Sequence, residues 1–497
     1  MNIKSLASNL SIAFLAQGVS LVLSITMSLL VPKVLGVDEF GYWQLFLFYT
    51  SYVGFFHFGL NDGVYLLNGG RVRCELDKRS VNSQFWFGAA FQCVFAGIIL
   101  SSSLGGGFGD QRGFVLAVTA LFLVLNNASG YLGYVFQAIN ETKLFSFSII
   151  IDKLVFLAPL CLLLATDVTD FRWYVAAYAL SKLCSLVYCA MRAKDILASG
   201  FLGLHDTAYE CAKSVGVGIK LMLANIAGML VLGIVRFVVD AVWGIEIFGQ
   251  LSFALSMVSF FMVFISQASM VLFPALRQSE EHELSRYFSV SRDWLSLLLP
   301  AVYILYFPAK WLLCLWLPQY GASLSLFALL LPLCLFDGKM SLVGTTFFKV
   351  LRMEGSLLIV NMITMAFSTI GACLGAFVFH SVEAVILSAV VAIIGRCSVS
   401  ELLVGHHVGA TWSPLGLGEI ILTVIFLFVV ITADDQIAWA EVIVAYLLYL
   451  LLFRKNAMTL FAKLRRLKVG DDYLSPGNLI VSGNYHEKKD DRQNYLA

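Results

Sequence analysis

The chain has 497 residues, is 59% hydrophobic and only 13% charged, and carries a formal net charge of +1. Soluble domains run at about 45–50% apolar and about 25% charged, so this composition excludes an ordinary soluble enzyme and indicates a polytopic membrane protein. A net charge this small says nothing about partners; only the placement of the charges can.

The N-terminal "MNIKSLASNL" runs straight into an apolar stretch. It is longer than the about 7–15 residues of a signal-peptide core, and no small-residue cleavage site follows, so the first helix is expected to stay as an anchor. A spanning helix needs about 20 apolar residues. Windows of that length fall at 8–31, 40–60, 82–104, 113–138, 145–166, 173–191, 214–238, 247–272, 294–317, 322–347, 356–379, 383–404, 416–432 and 437–453. The expected class is therefore all-α, a polytopic membrane protein of about fourteen transmembrane helices. With the N-terminus in the cytoplasm, the outside loops hold only Lys33, Arg112, Arg172 and Lys310. The other loop cations, including the tail "RKNAMTLFAKLRRLK", fall inside, as the positive-inside rule requires. Both termini are thus expected in the cytoplasm. The tail 454–497 is polar and is expected to be disordered beyond Gly470. No loop is long enough to be a catalytic domain, and no HEXXH, GxSxG or paired-carboxylate motif occurs. The ten cysteines show no CxxC or Cys/His spacing, so neither a disulfide framework nor a metal site is expected.

One short phrase occurs twice. "VLGVDEFGYW", from Val34, returns as "VWGIEIFGQL", from Val242, at an offset of 208 residues (Gly36 to Gly244). The same offset aligns Leu15-Ala16-Gln17 with Leu223-Ala224-Asn225, so span 1 matches span 7 and span 2 matches span 8. Six spans lie between equivalent points. An even number keeps the orientation, which makes this a parallel repeat about an axis along the membrane normal, a plan common in transporters. It predicts a six-helix lobe over 1–200, a second over 201–410, and two additional helices over 411–453. The phrase itself reads as a tight outer turn: glycine for a permissive backbone, then an acid near the start of the descending helix.

Ionisable groups inside spans are costly and are functional candidates. The cations are Lys153, Lys182, Lys220, Arg236, Lys339 and Arg396, and the acids are Asp152, Asp240 and Asp337. Lys182 and Arg396 lie near the centres of repeat-related spans 6 and 12, with no acid at i±3 or i±4, and would face each other across a cavity between the lobes. Lys153 is close to mid-depth; Asp152 is its neighbour in sequence, about 100° away on the helix, and cannot pair well with it. Arg236 and Asp240 are spaced i,i+4 and read as a pair on one helix. Asp337 and Lys339 sit towards the cytoplasmic end of span 10, and Lys220 can snorkel to the inner surface. Gln17, Asn225, Gln267 and Asn361 read as interhelical glue. Asn126 and Asn127, near the middle of span 4, fit that role or the lining of a cavity that binds sugar hydroxyls. Pro159, Pro300, Pro308 and Pro332 should kink or loosen their spans.

The N-terminal run with its LG…FG turn and "GLNDG", and the second-half "GIKLMLANIAGMLVLGIVRFVVD" and "FISQASMVLFPALR", resemble bacterial polysaccharide-repeat flippases. These are the Wzx-like branch of the multidrug/oligosaccharidyl-lipid/polysaccharide (MOP) exporter superfamily. The resemblance covers spans 1–12. It implies a flippase of the bacterial plasma membrane that translocates undecaprenyl-pyrophosphate-linked oligosaccharide repeat units by alternating access, for surface polysaccharide (O-antigen type) biosynthesis. It implies as partners the lipid-linked oligosaccharide, membrane lipids and the polysaccharide polymerase and chain-length machinery, with no nucleic acid, no enzymatic reaction and no cofactor. Depth and sign of charge, not a family motif, nominate Lys153, Lys182 and Arg396, then Arg236 and Lys339, as a cationic lining for the pyrophosphate. Coupling to H+ or Na+ would fall to Asp152, Asp240 or Asp337. The nearest rival is a multidrug or cation antiporter of the same fold, disfavoured by the excess of intramembrane cations and by spans 13 and 14. A membrane polysaccharide polymerase or ligase is a further rival, disfavoured by the short outside loops.

Overall fold

The computed structural model describes residue 18, residues 22–105, residue 107, residues 109–278 and residues 281–458, with the side chains of 264–283 outside that description. The tail beyond 458 and most of the first expected span, 8–31, lie outside the described residues. Among the described residues the protein is a bundle of helices without strands. In chain order these are α1 (Val31–Tyr52), α2 (Leu60–Asn68), α3 (Lys78–Gly105), α4 (Asp110–Ala138), α5 (Thr142–Ala165) and α6 (Phe171–Arg192). Then come α7 (Leu204–Gln278), α8 (Glu281–Leu298), α9 (Val302–Trp316), α10 (Gly321–Leu330), α11 (Pro332–Lys339) and α12 (Thr346–Val350). The last four are α13 (Glu354–Phe377), α14 (Val382–His407), α15 (Leu415–Thr432) and α16 (Asp435–Leu452).

Among the described residues ten helices are long and apolar enough to cross a membrane, or eleven with the bent pair around Pro332 taken as one span. The longest of them, α7, reverses within itself at Gly244, and α1 does the same at Gly36. With those two turns counted, the order of helices follows the expected spans, and the chain is a multi-pass membrane protein. Two prolines act as expected: Pro300 lies in a 3-10 turn between α8 and α9, and the chain bends by 41° at the break before Pro332. Pro159 and Pro308 are carried inside α5 and α9 without a helix break.

The repeated phrase is a repeated backbone. Gly36 has φ 73° and ψ −179°, and Gly244 has φ 83° and ψ −171°, while the residues on either side remain helical. A single residue redirects the chain each time, in a conformation that a Cβ would strain. The closing glycines have a different duty. Gly41 and Gly249 face each other where α1 crosses the second arm of α7: a Cβ on Gly41 would stand 2.8 Å from the Ile245 carbonyl oxygen, and one on Gly249 3.0 Å from that of Val37. The two copies of the phrase therefore touch, backbone to backbone, at one end of the bundle. Around them Phe40 packs edge-on to Phe253 (6.3 Å between centroids), and Phe48 does so to Phe248 (5.9 Å). The acids of the turn, Asp38 and Glu246, are exposed.

The second expected span is not one straight helix. After Tyr52 the chain tightens into a 3-10 segment, Val53–His57, and Phe58 (φ 51°) and Gly59 (φ 83°) turn left-handed before α2 begins. The glycines let α2 lie directly on the first arm of α7. A Cβ on Gly63 would collide with the Ser214 carbonyl, and one on Gly218 with the Gly59 carbonyl. Small residues at a helix crossing allow this approach in a membrane, where packing rather than water drives association. The break frees backbone groups that must find partners. Asn127 Nδ2 donates to the Val53 carbonyl at 2.8 Å, and Asn61 Nδ2 donates to the Asn127 carbonyl at 3.3 Å. The halves thus meet at both ends: α1 on the second arm of α7 at the Gly36 end, α2 on the first arm at the other.

Candidate functional site

Two charged cavities hold the intramembrane cations Lys182 and Arg396. The first, of about 230 Å³, lies between the break after α1 and helices α4, α5 and α6. Lys182 Nζ donates to Asp152 Oδ2 at 2.9 Å, and the Ser181 hydroxyl donates to the other carboxylate oxygen at 3.0 Å. Asn61, Asn126, Asn127, His57 and Tyr134 complete the polar wall. The imidazole of His57 accepts the Gly59 N–H on Nδ1 at 3.0 Å and turns Nε2 toward Asp62, 3.8 Å away.

The second cavity, of about 380 Å³, lies between the first arm of α7 and α11, α13 and α14. Arg396 holds Asp337 by an ion pair through Nη2. Asn225, Asn361, Ser341 and Thr345 also line it, the last two from a π-helical segment, Met340–Thr345, that widens the helix beside the cavity. Asn361 Nδ2 donates to the Ala224 carbonyl at 3.1 Å, and its Oδ1 has no protein partner among the described residues. The two cavities follow one plan: a cation from α6 or α14, an acid from α5 or α11, and amides on the wall.

Several sequence expectations are corrected by this geometry. Lys182 and Arg396 do not face each other across a cavity between the halves. They lie in separate cavities, and each is paired with an acid of its own half, because a buried charge costs less when an opposite one stands beside it. Those acids, Asp152 and Asp337, come from other helices, where i±4 spacing cannot reveal them. The Arg236–Asp240 pair does not form. Asp240 instead takes both amino groups of Arg112, at 2.6 and 2.8 Å, from the first turn of α4. Arg236 is half-buried, with its guanidinium over Phe48 (4.8 Å) and Phe248 (5.0 Å). It donates to the Gln44 carbonyl at 3.3 Å and the Ser252 hydroxyl at 3.0 Å. Lys339 lines neither cavity. It is 1% exposed and bound to Glu419 (2.8 Å) and Glu401 (2.6 Å). Lys153 is half-buried and makes no hydrogen bond or ion pair among the described residues. Asn127 is 1% exposed and holds the helix break, so it is chiefly structural, while Asn126 opens on the cavity.

Sequence reasoning misses His57, Asn61 and Asp62, and with them Glu401 and Glu419. Asn61 and Asp62 stand in "GLNDG", and both glutamates fall inside apolar windows, so the signal of an intramembrane polar group was present for each. Between the halves lies a third, apolar crevice of about 320 Å³, lined by Phe48, Tyr52, Phe56, Leu230, Ile234 and Phe237 among others.

No family model and no curated protein matches the chain in sequence. Solved structures do match in shape. One is the lipid II flippase MurJ in an inward closed conformation, at a TM-score of 0.63 and 10% identity, covering 91% of this chain and 100% of that one. Another is a multidrug resistance MATE family transporter of the MOP superfamily in an inward-facing conformation, at 0.60 and 12% identity, covering 78% of this chain and 94% of the other. The chain therefore has the polytopic helical fold of these two proteins.

Proposed function

We propose that the chain is a transporter of the MOP superfamily that moves an undecaprenyl-pyrophosphate-linked oligosaccharide from the cytoplasmic to the outer leaflet of a bacterial plasma membrane, by alternating access. The observation that carries this reading is the match to the lipid II flippase over that protein's whole length and 91% of this chain. The chemistry of the cavities agrees. A pyrophosphate can compete with Asp152 and Asp337 for Lys182 and Arg396, and amides such as Asn126 and Asn225 suit sugar hydroxyls. The polyprenyl tail can stay in lipid or in the apolar crevice between the halves. The halves, about 1–200 and 201–410, would rock about their contacts, with both termini in the cytoplasm and the polymerase machinery as a downstream partner.

A second reading has its own support. Because Asp152 and Asp337 neutralise the two cavity cations, the cavities lack the positive excess that would exclude a cationic drug. One experiment separates the readings. In a strain lacking this protein, the native chain should restore surface-glycan assembly, and Lys182→Ala with Arg396→Ala should not, at equal protein level. Full restoration by the double variant would remove the cationic contacts from the account. Restored drug resistance without glycan assembly would favour the rival.

A further inference from the structure

Lys339, Glu401 and Glu419 belong to neither cavity and to no step proposed above. They meet where α8, α11, α14 and α15 converge. The ammonium donates to Ser296 Oγ (3.1 Å) and Glu419 (2.8 Å to the nearer oxygen) and forms an ion pair with Glu401 (2.6 Å). Two carboxylates around one ammonium leave one negative charge over. Lys339 and Glu419 are each 1% exposed and Glu401 17%, so this charge sits in a mostly buried cluster, where it is costly.

Nothing packed against the cluster offsets it. From α14 the Cys397 thiol approaches Glu401 at 3.5 Å. From α15 Thr423 bonds Tyr303 of α9 (2.8 Å), and from α16 Tyr449 donates to the Ser296 carbonyl (2.9 Å). All of these are neutral. On α8, Arg292 binds its neighbour Asp293 (3.0 Å) and the Thr411 carbonyl (3.1 Å). Asp337 and Arg396 satisfy each other on the cavity side. The site has an entrance. Glu401 also lines a separate cavity of about 490 Å³, walled by Arg292, His406, Thr411 and Ser413.

We infer that Glu401 and Glu419, clamped on Lys339, form a proton-binding site served by the cavity at Thr411–Ser413. A hydronium ion there gives its proton to a carboxylate oxygen, leaving water; release is the reverse. The neutral acid then loosens its hold on the ammonium. A metal cation does not suit the site, because the ammonium already occupies the position between the carboxylates. The site is mechanically joined to the cavity of the C-terminal half. Lys339 follows Asp337 by two residues and leads directly into the π-helical segment Met340–Thr345, and Glu401 lies five residues beyond Arg396 on α14. Protonation therefore acts on the same two helices that hold the Asp337–Arg396 pair.

The test needs no cargo, so its outcome is separate from that of the transport reading. The full chain in lipid nanodiscs is examined by infrared difference spectroscopy between about pH 5 and about pH 9, a range that spans a displaced carboxyl. The native protein should show a buried carboxylic-acid C=O band that disappears as pH rises. Glu401→Gln and Glu419→Gln should each abolish that band, since either leaves a neutral one-to-one pair with Lys339 that also keeps the fold. Glu383→Gln, at the exposed start of α14, should leave it intact. A native spectrum without the band, a band that survives both variants, or a band altered by exchanging sodium for potassium would overturn the assignment.

Discussion

The contact between Gly41 and Gly249 gives the sharpest prediction, because its geometry sets the magnitude. In Gly41→Ala the new methyl would lie 2.8 Å from the Ile245 carbonyl oxygen and 3.1 Å from Ile245 Cγ1. Optimal carbon contacts lie at about 3.5 Å, so the crossing helices must retreat by about 0.7 Å. The Ile245 oxygen belongs to the backbone and cannot rotate away. Overpacking of this kind costs about 1–3 kcal/mol, and the cost falls only on states in which the two phrases touch. A bias of about 1.4 kcal/mol shifts a two-state population about tenfold. Gly41→Ala and Gly249→Ala should therefore open the Gly36 end by roughly 5- to 150-fold. The assay is the rate of thiol labelling of a cysteine placed at Ser252, which faces Arg236 in the contact between the halves, in a background without reactive native cysteines. Gly97→Ala is the control, since nothing lies within 4 Å of a Cβ there. If both contact variants label at the control rate, the touching glycines do not hold the halves together and the reasoning fails.

Three further outcomes follow from single contacts. Asn127→Ala should cost about 1–3 kcal/mol by leaving the Val53 carbonyl without its donor at the helix break, read as a lower midpoint in thermal unfolding in detergent, whereas Asn126→Ala should leave that midpoint unchanged. Asp152→Asn should destabilise the protein by leaving the Lys182 ammonium unpaired, and Asp152→Asn with Lys182→Gln should recover most of the loss, a coupling that a double-mutant cycle measures directly. Lys339→Met should be the most damaging of the charge variants, at about 3–5 kcal/mol, because it leaves two carboxylates facing each other in the interior; purified yield and unfolding midpoint report it, and near-native values would show that the cluster is not held by its charges.

The spans and the turns were readable because they obey rules that act within one segment. A membrane demands long apolar helices, and a one-residue reversal demands glycine, so Gly36 and Gly244 mark both the turns and the repeat. Pairings between helices obey no such local rule. Lys182 finds Asp152 on α5 and Arg396 finds Asp337 on α11, while Arg236 ignores Asp240, four residues along its own helix, in favour of two phenylalanine rings. The break at Val53–Gly59 is hidden for a related reason. "VGFFHFG" is apolar enough to pass as straight helix, and the donor that the Val53 carbonyl takes there, Asn127, is distant in sequence. Glu401 and Glu419 stand out in their windows as buried acids, yet their meaning depends on Lys339 arriving from a third helix.

The most direct test of the account is flipping by the purified chain. The protein is reconstituted in vesicles with a fluorescent undecaprenyl-pyrophosphate oligosaccharide, and a membrane-impermeant quencher reports the fraction exposed on the outer face over time. The account predicts that the chain equilibrates the labelled lipid between leaflets, that Lys182→Ala with Arg396→Ala slows this at least about tenfold, equivalent to about 1.4 kcal/mol in the barrier, and that a cationic dye is not moved. Movement of the dye, with the labelled lipid left in its original leaflet, would contradict it.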